Sequence, residues 1–184
     1  AAQQEDLLSA RRSLAEVIAA MDKTMTTQFE EAFAAINAHF ATCFARLFGG
    51  GVARLLLADP KDVLGSGVDI TVQPPGKKMQ HLALLSGGER ALTVIALLFA
   101  VLLYKPSPFC VLDEIDAALD EANVDRFAQF LGELAGSTQF IVITHRKGTM
   151  EAANVLHGVT MEESGVSRLL SVKMEEERPK EAVL

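Results

Sequence analysis

Phe109-Cys110-Val111-Leu112-Asp113-Glu114 is the stretch on which the reading of the whole chain turns. Pro106 and Pro108 stand just upstream, and the apolar run ends abruptly in two carboxylates. A short, continuously apolar run of this kind fits a strand buried on both faces of a sheet. Downstream, residues 121–135 carry a helical pattern, and residues 139–144 repeat the short apolar run before ending in His145. Strand, helix, strand predicts a parallel sheet covered by helices on both faces, hence an α/β fold. Parallel strands align their carboxyl ends. Asp113, Glu114 and His145 are therefore expected at one crevice, where open α/β sheets bind their ligands.

Immediately upstream lies Leu84-Leu85-Ser86-Gly87-Gly88-Glu89-Arg90, leading into a strongly apolar helix that runs to Tyr104. Ser86 followed three residues later by Glu89 is a capping box. The two glycines between them let another backbone or a phosphate approach closely, and a helix N-terminus offers free N–H donors and a positive dipole end to an anion. A capping box alone is ordinarily structural; two glycines inside it favour the phosphate reading. At the strand end, Asp113 is placed to hold Mg2+ directly or through water, and Glu114 to polarise an attacking water. A pair of acidic residues marking a strand end is the plainer alternative. Asp120 precedes the 121–135 helix and also suits a simple N-cap. His145 suits a donor to a phosphoryl oxygen, or a satisfied loop histidine. Each signal is weak alone; their predicted convergence at one crevice is what favours the functional reading.

Farther upstream the pattern changes. Residues 5–48 contain no proline or glycine, and apolar residues recur at Leu7, Leu14, Ile18, Met21, Met25, Phe29, Phe33, Ile36, Phe40, Phe44 and Leu47. Steps of three, four and seven predict one amphipathic helix on the order of 60 Å long. Its early part has the a/d seam of a coiled coil, and its Phe-rich later part reads as a docking face; an ordinary long core helix is the alternative. Gly49-Gly50-Gly51 ends it. Short strands at residues 52–57 and 68–72, punctuated by Asp59, Pro60 and Gly65-Ser66-Gly67, predict a meander. Past His145, a helix, a strand at 155–161, a turn at Gly165 and a returning strand at 166–172 complete the ordered part. The expected organisation is a coiled-coil stump and docking helix over 1–48, a globular body over 49–174, and a charged, disordered tail over 175–184.

The chain has 184 residues and a net charge of -7. That balance does not point to nucleic-acid binding through bulk charge, which needs clustered Lys and Arg, although a local basic patch is compatible with it. Cys43 and Cys110 are far apart, in apolar surroundings and outside any CxxC pair. They read as buried reduced thiols of a cytosolic protein. No signal peptide is visible, and the apolar stretch over residues 91–104 is too short to span a bilayer. The opening Ala1-Ala2-Gln3-Gln4, in mid-helix and without Met, suggests a piece of a longer chain. No Gly-x-x-x-x-Gly-Lys-Ser/Thr loop occurs anywhere. Pro75-Gly76-Lys77-Lys78 has the wrong spacing and lacks the hydroxyl residue. A phosphate cradle is therefore expected from another polypeptide or a preceding segment.

Taken together, these residues resemble a family. Leu85-Ser86-Gly87-Gly88-Glu89-Arg90-Ala91-Leu92 resembles the signature motif of ABC-type ATPases, and Val111-Leu112-Asp113-Glu114 their Walker B motif. Ala117-Ala118-Leu119-Asp120 resembles the D-loop, and Ile143-Thr144-His145-Arg146 the switch-histidine loop. The wording from Leu112 to Asp120, Thr144-His145-Arg146-Lys147 and the stretch from Gly158 to Ser167 is similar to bacterial SMC (structural maintenance of chromosomes) proteins, in the C-terminal half of their head. In such proteins the two ends of one chain form the ATPase head, joined by a long coiled coil, and ATP lies between the Walker motifs of one head and the signature of the other. The resemblance implies ATP and Mg2+ as cofactors. Ser86, Gly87, Gly88 and Glu89 would form the signature contact, Asp113 the Mg2+ ligand, Glu114 and His145 the catalytic pair, and Asp120 a coupling residue. It implies the N-terminal half of the head, a second head, a kleisin subunit and DNA as partners, with no membrane, in the cytoplasm on the nucleoid. Three other readings compete: a RecN-like DNA-repair ATPase, against which the Asp-Ala-Ala-Leu-Asp wording speaks; a transporter's nucleotide-binding subunit, against which the stump and missing cradle speak; and a non-enzymatic module, against which Glu114 speaks.

Overall fold

The computed structural model describes residues 2–163 and 165–174, in two compact units that divide between Pro106 and Ser107. The tail expected over 175–184 lies outside the described residues.

The first unit begins with α1, Ala2–Phe48, a single 47-residue helix, about 70 Å long at the usual rise. Nothing in its sequence breaks it. Its two ends have different surroundings. Leu7, Leu14, Ile18, Met21 and Met25 are exposed, whereas Phe40, Cys43, Phe44 and Leu47 are fully buried. The same helical period thus covers a core at one end and leaves an apolar seam uncovered at the other. Gly49, Gly50 and Gly51 all take positive φ and turn the chain out of α1. At Gly51 a Cβ would run into the Gln73 carbonyl oxygen and press on the Phe44 ring, so both the backbone angle and the space demand glycine.

The predicted meander is present. β1, Val52–Leu57, pairs antiparallel with β2, Val68–Gln73, and β2 pairs with the two-residue β3, Gln80–His81. Ala53, Leu55 and Val72 point inward. Asn37 of α1 fixes the sheet to the helix, donating Nδ2 to the Leu55 carbonyl and accepting the Leu55 N–H at 2.9 Å on its Oδ1. A 3-10 turn, Leu82–Leu84, precedes α2, Gly87–Tyr104. α2 packs on α1 and buries Leu92, Thr93, Ile95, Ala96, Phe99 and Ala100, while Val94, Leu98 and Val101 remain exposed. By length and composition alone, the 18 residues of α2 would suffice to cross a membrane.

The second unit opens with β4, Phe109–Asp113, followed by α3, Glu121–Leu134, and β5, Gln139–Ile143. β4 and β5 are parallel, in register from Phe109↔Gln139 to Asp113↔Ile143. The parallel pair was expected; among the described residues, coverage on both faces was not found. Leu112 is buried, but Phe109, Val111, Ile141 and Ile143 are about half exposed. Alternate residues of a strand point to opposite faces, so one face of the pair lies open. Continuous apolar character marked strands built to be covered twice, and the described residues cover them once. α4, Lys147–Glu151, then leads to the hairpin of β6, Val155–Glu163, and β7, Val166–Lys173. Of the cysteines, Cys43 is buried as expected, and Cys110 is only half-buried.

Candidate functional site

The first unit presents one candidate element, the N-terminus of α2. Ser86 takes an extended backbone at the N-cap, and both bonds of the capping box form. The Glu89 N–H donates to Ser86 Oγ at 3.4 Å, the Ser86 N–H donates to Glu89 Oε2 at 3.2 Å, and Ser86 Oγ donates to the same oxygen at 2.8 Å. Glu89 also pairs with Lys77, whose Nζ lies 2.9 Å from Oε1. The Lys77 ammonium, and after it the Ser86 hydroxyl, hold the Glu89 carboxyl below its ordinary range. Gly87 and Gly88 occupy the first turn, where backbone N–H groups have no intrahelical acceptor. The position of a Cβ on Gly87 meets nothing within 4 Å. This chain therefore gives no packing reason for that glycine, and the space over the helix end is open to an anion.

The second unit brings together the residues expected at its strand ends. Asp113 is the last residue of β4, opposite Ile143, and is exposed. Glu114 follows in the left-handed region at φ 48°, the one non-glycine with positive φ among the described residues. For an L-residue this conformation is strained by about 1–2 kcal/mol. It is held by the Glu114 N–H donating to the Ile143 carbonyl at 2.9 Å and by the Ala117 N–H donating to the Glu114 carbonyl at 3.1 Å. The turn carries the Glu114 side chain to His145, with Oε1 3.9 Å from Nδ1 and both side chains 63% exposed. That separation is too long for a hydrogen bond. Asp120 caps α3, accepting the Asn123 N–H on Oδ1 at 2.9 Å, so the capping alternative is realised.

Two side chains to which sequence reasoning gave no role complete the surroundings in the second unit. Asp116 is 1% exposed and accepts from the hydroxyls of Thr144 and Thr149. Arg146 donates through Nη2 to the carbonyls of Ala117 and Leu119, both at 2.7 Å. The only trace of Asp116 in the sequence was its place in the Leu-Asp-Glu-Ile-Asp wording; burial of a carboxylate has no local signature. Among the described residues no cluster of three or more His, Cys, Asp or Glu could by itself hold a metal ion, so a divalent cation at Asp113 would need further oxygen ligands from outside them.

The family described as "RecF/RecN/SMC N terminal domain" matches residues 8–168. The chain belongs to this family. Among curated SMC relatives, the chromosome partition protein Smc of Bacillus subtilis (strain 168) is 63% identical over 174 residues, covering 95% of this chain and 15% of that protein. The chain thus spans about a seventh of its relative's length. Among solved SMC structures, the head domain with an extended coiled coil bound to the C-terminal domain of ScpA, derived from Pyrococcus furiosus, superposes with a TM-score of 0.80. It is 41% identical, over 94% of this chain and 43% of that one. A structure from work on ATP-driven dimerization and DNA-stimulated activation of SMC ATPases gives a TM-score of 0.75 at 42% identity, over 80% of this chain and 89% of that one. The fold of this SMC-family chain is accordingly ABC ATPase-like α/β.

Proposed function

We propose that this chain is the C-terminal half of an SMC head. On this reading, residues 1–48 are the coiled-coil stump and docking helix, and residues 49–174 the C-terminal lobe. Joined to an N-terminal half that carries the phosphate loop, it binds and hydrolyses ATP between two heads, in the service of chromosome condensation, organisation and segregation. The observation that carries this reading is the strand-end pair: Glu114 held in a left-handed turn, 3.9 Å from His145, at the carboxyl end of a parallel β4–β5 pair. The open apolar face of Phe109, Val111, Ile141 and Ile143 supports the missing half, because an exposed face of this kind calls for another polypeptide.

The residues present fit the implied groups. Asp113 supplies an exposed oxygen donor of the type Mg2+ prefers, and the open first turn of α2 suits a phosphate. Bound Mg2+ would neutralise phosphate charge. The residues of this chain would do the rest. The Glu114 carboxylate would orient a water and accept its proton. His145 would donate a hydrogen bond to a phosphoryl oxygen. Ser86, Gly87 and Gly88, with Glu89 fixing their turn, would offer N–H groups to the nucleotide carried by the opposite head. Asp120 would couple the two sites. The Smc relatives and the ScpA-bound head support a kleisin subunit, DNA and a second copy of the head as partners, and a cytoplasmic, nucleoid-associated protein; a membrane has no part in this reading. Co-expression with the N-terminal half, followed by an ATPase assay, tests the proposal. Turnover should appear in the reconstituted head and be absent from the chain alone; robust hydrolysis by the chain alone would overturn the split-head reading.

A further inference from the structure

Glu114 and His145 stand on different loops, and neither holds the other. Their side chains are mostly exposed and 3.9 Å apart, and the β4–β5 ladder ends one or two residues before them. One backbone bond, from the Glu114 N–H to the Ile143 carbonyl at 2.9 Å, ties the two loops where they leave the strands, and it does not reach the residues beyond. Beneath them lies a buried polar cluster. Thr144, one residue before His145, donates its hydroxyl to Asp116 Oδ2 at 2.7 Å, and the Arg146 N–H donates to that same hydroxyl at 2.9 Å. Thr149, on the first turn of α4, donates to Asp116 Oδ2 at 2.6 Å. In the other direction, the Arg146 guanidinium donates to the carbonyls of Ala117 and Leu119, and the Leu119 N–H closes back on the Asp116 carbonyl at 3.1 Å. The 114–120 loop thus contributes one carboxylate and two backbone carbonyls to the contact, and the 144–149 segment three side chains.

We propose that Asp116 is a positioning residue that locks the 114–120 loop and the 144–149 segment into one piece, with Thr144, Thr149 and Arg146 as its clamps. The inference rests on the functional reading above. A buried carboxylate is costly unless hydrogen-bonded, so a carboxylate at Asp116 answers to the two threonine hydroxyls that face it. The lock is also incomplete. Asp116 Oδ1 and Arg146 Nε are buried without a hydrogen-bond partner among the described residues, which leaves the cluster one donor and one acceptor short. Glu114, His145 and Asp120 are carried on this piece, and none of them takes part in the cluster's own bonds. Loosening it shifts the spacing of a water-polarising carboxylate and a phosphoryl-facing imidazole without removing either.

The test uses heads reconstituted with the N-terminal half and compares Thr149→Val with Thr149→Ser. Valine keeps the shape and deletes the hydroxyl; serine keeps the hydroxyl. Thr149→Val should lower kcat about 10-fold or more, the range expected for a misplaced catalytic group, with KM for ATP within about twofold of the parent. Thr149→Ser should restore kcat. Amide hydrogen exchange on the same heads should show faster exchange at Leu119 and Arg146 in the valine variant, with α2 unchanged. A valine variant that melts lower but turns over normally, or one whose exchange rises uniformly across the head, would overturn the lock. Parent heads without turnover would overturn the functional reading instead, and the exchange pattern would then still decide whether Asp116 joins the two loops.

Discussion

Lys77 reaches from the 74–78 loop to hold Glu89, its Nζ 2.9 Å from Oε1 and 3.0 Å from Oε2, and Glu89 in turn closes the capping box on Ser86. A residue outside the signature-like motif thereby favours the charged form of the carboxylate nearest the open helix end. Lys77, then Ser86, lower the Glu89 pKa in the folded state. A depressed folded pKa stabilises the fold above the ordinary glutamate value of about 4.3. That contribution is lost as pH falls from there through the folded value. Replacing Lys77 with Met should move the Glu89 titration up toward the ordinary range, as followed by carboxyl carbon chemical shifts in NMR. An unchanged titration would show that the ion pair does not form in solution.

Glu114→Gln should separate binding from turnover. The amide keeps the shape of the side chain and cannot take a proton, so turnover of reconstituted heads should fall by roughly 10²-fold or more. Nucleotide binding should persist, and ATP-bound dimers should accumulate in size-exclusion chromatography. Normal turnover would remove Glu114 from the catalytic role.

Ser86→Arg should block dimerisation and leave nucleotide binding to the partner half intact. The arginine would crowd the open space over Gly87 and remove the capping oxygen, at about 1 kcal/mol of helix stability, too little to unfold a domain of ordinary stability. Mixing this variant with heads disabled in the phosphate loop puts both lesions on one composite site and leaves the other whole. Partial recovery of ATPase activity in the mixture is the expected result. No recovery, with mixed dimers demonstrated, would count against action across the interface.

Cys43 should be inert while the protein is folded. Burial raises its pKa to about 11, only partly offset by the nearby Arg46 charge, and the thiolate is the reactive form. At pH 8 a thiol reagent should label Cys43 only on unfolding, as followed by mass spectrometry with and without urea. Prompt labelling of the native protein would mean that the packing around Cys43 opens readily.

Much of this protein was legible in sequence because the signals were local. The capping box needs only Ser86 and Glu89 three residues apart, and it formed as read. The parallel pairing of β4 and β5 followed from two apolar runs separated by a helix. The length of α1 followed from the absence of proline and glycine. Tertiary structure decided the rest, where the partners are far apart in sequence and chosen by space alone. Lys77 finds Glu89 twelve positions on, and Asp116 finds Thr144 and Thr149, 28 and 33 positions on. No window of sequence announces such pairs, because a carboxylate on a loop looks the same whether it will face water or a hydroxyl. Nor does hydrophobicity say what will cover a surface. The runs at Val111 and Ile141 read as doubly buried, yet half of each side chain faces outward. Composition records that a face is built to be covered; only the folded chain shows whether it covers that face itself.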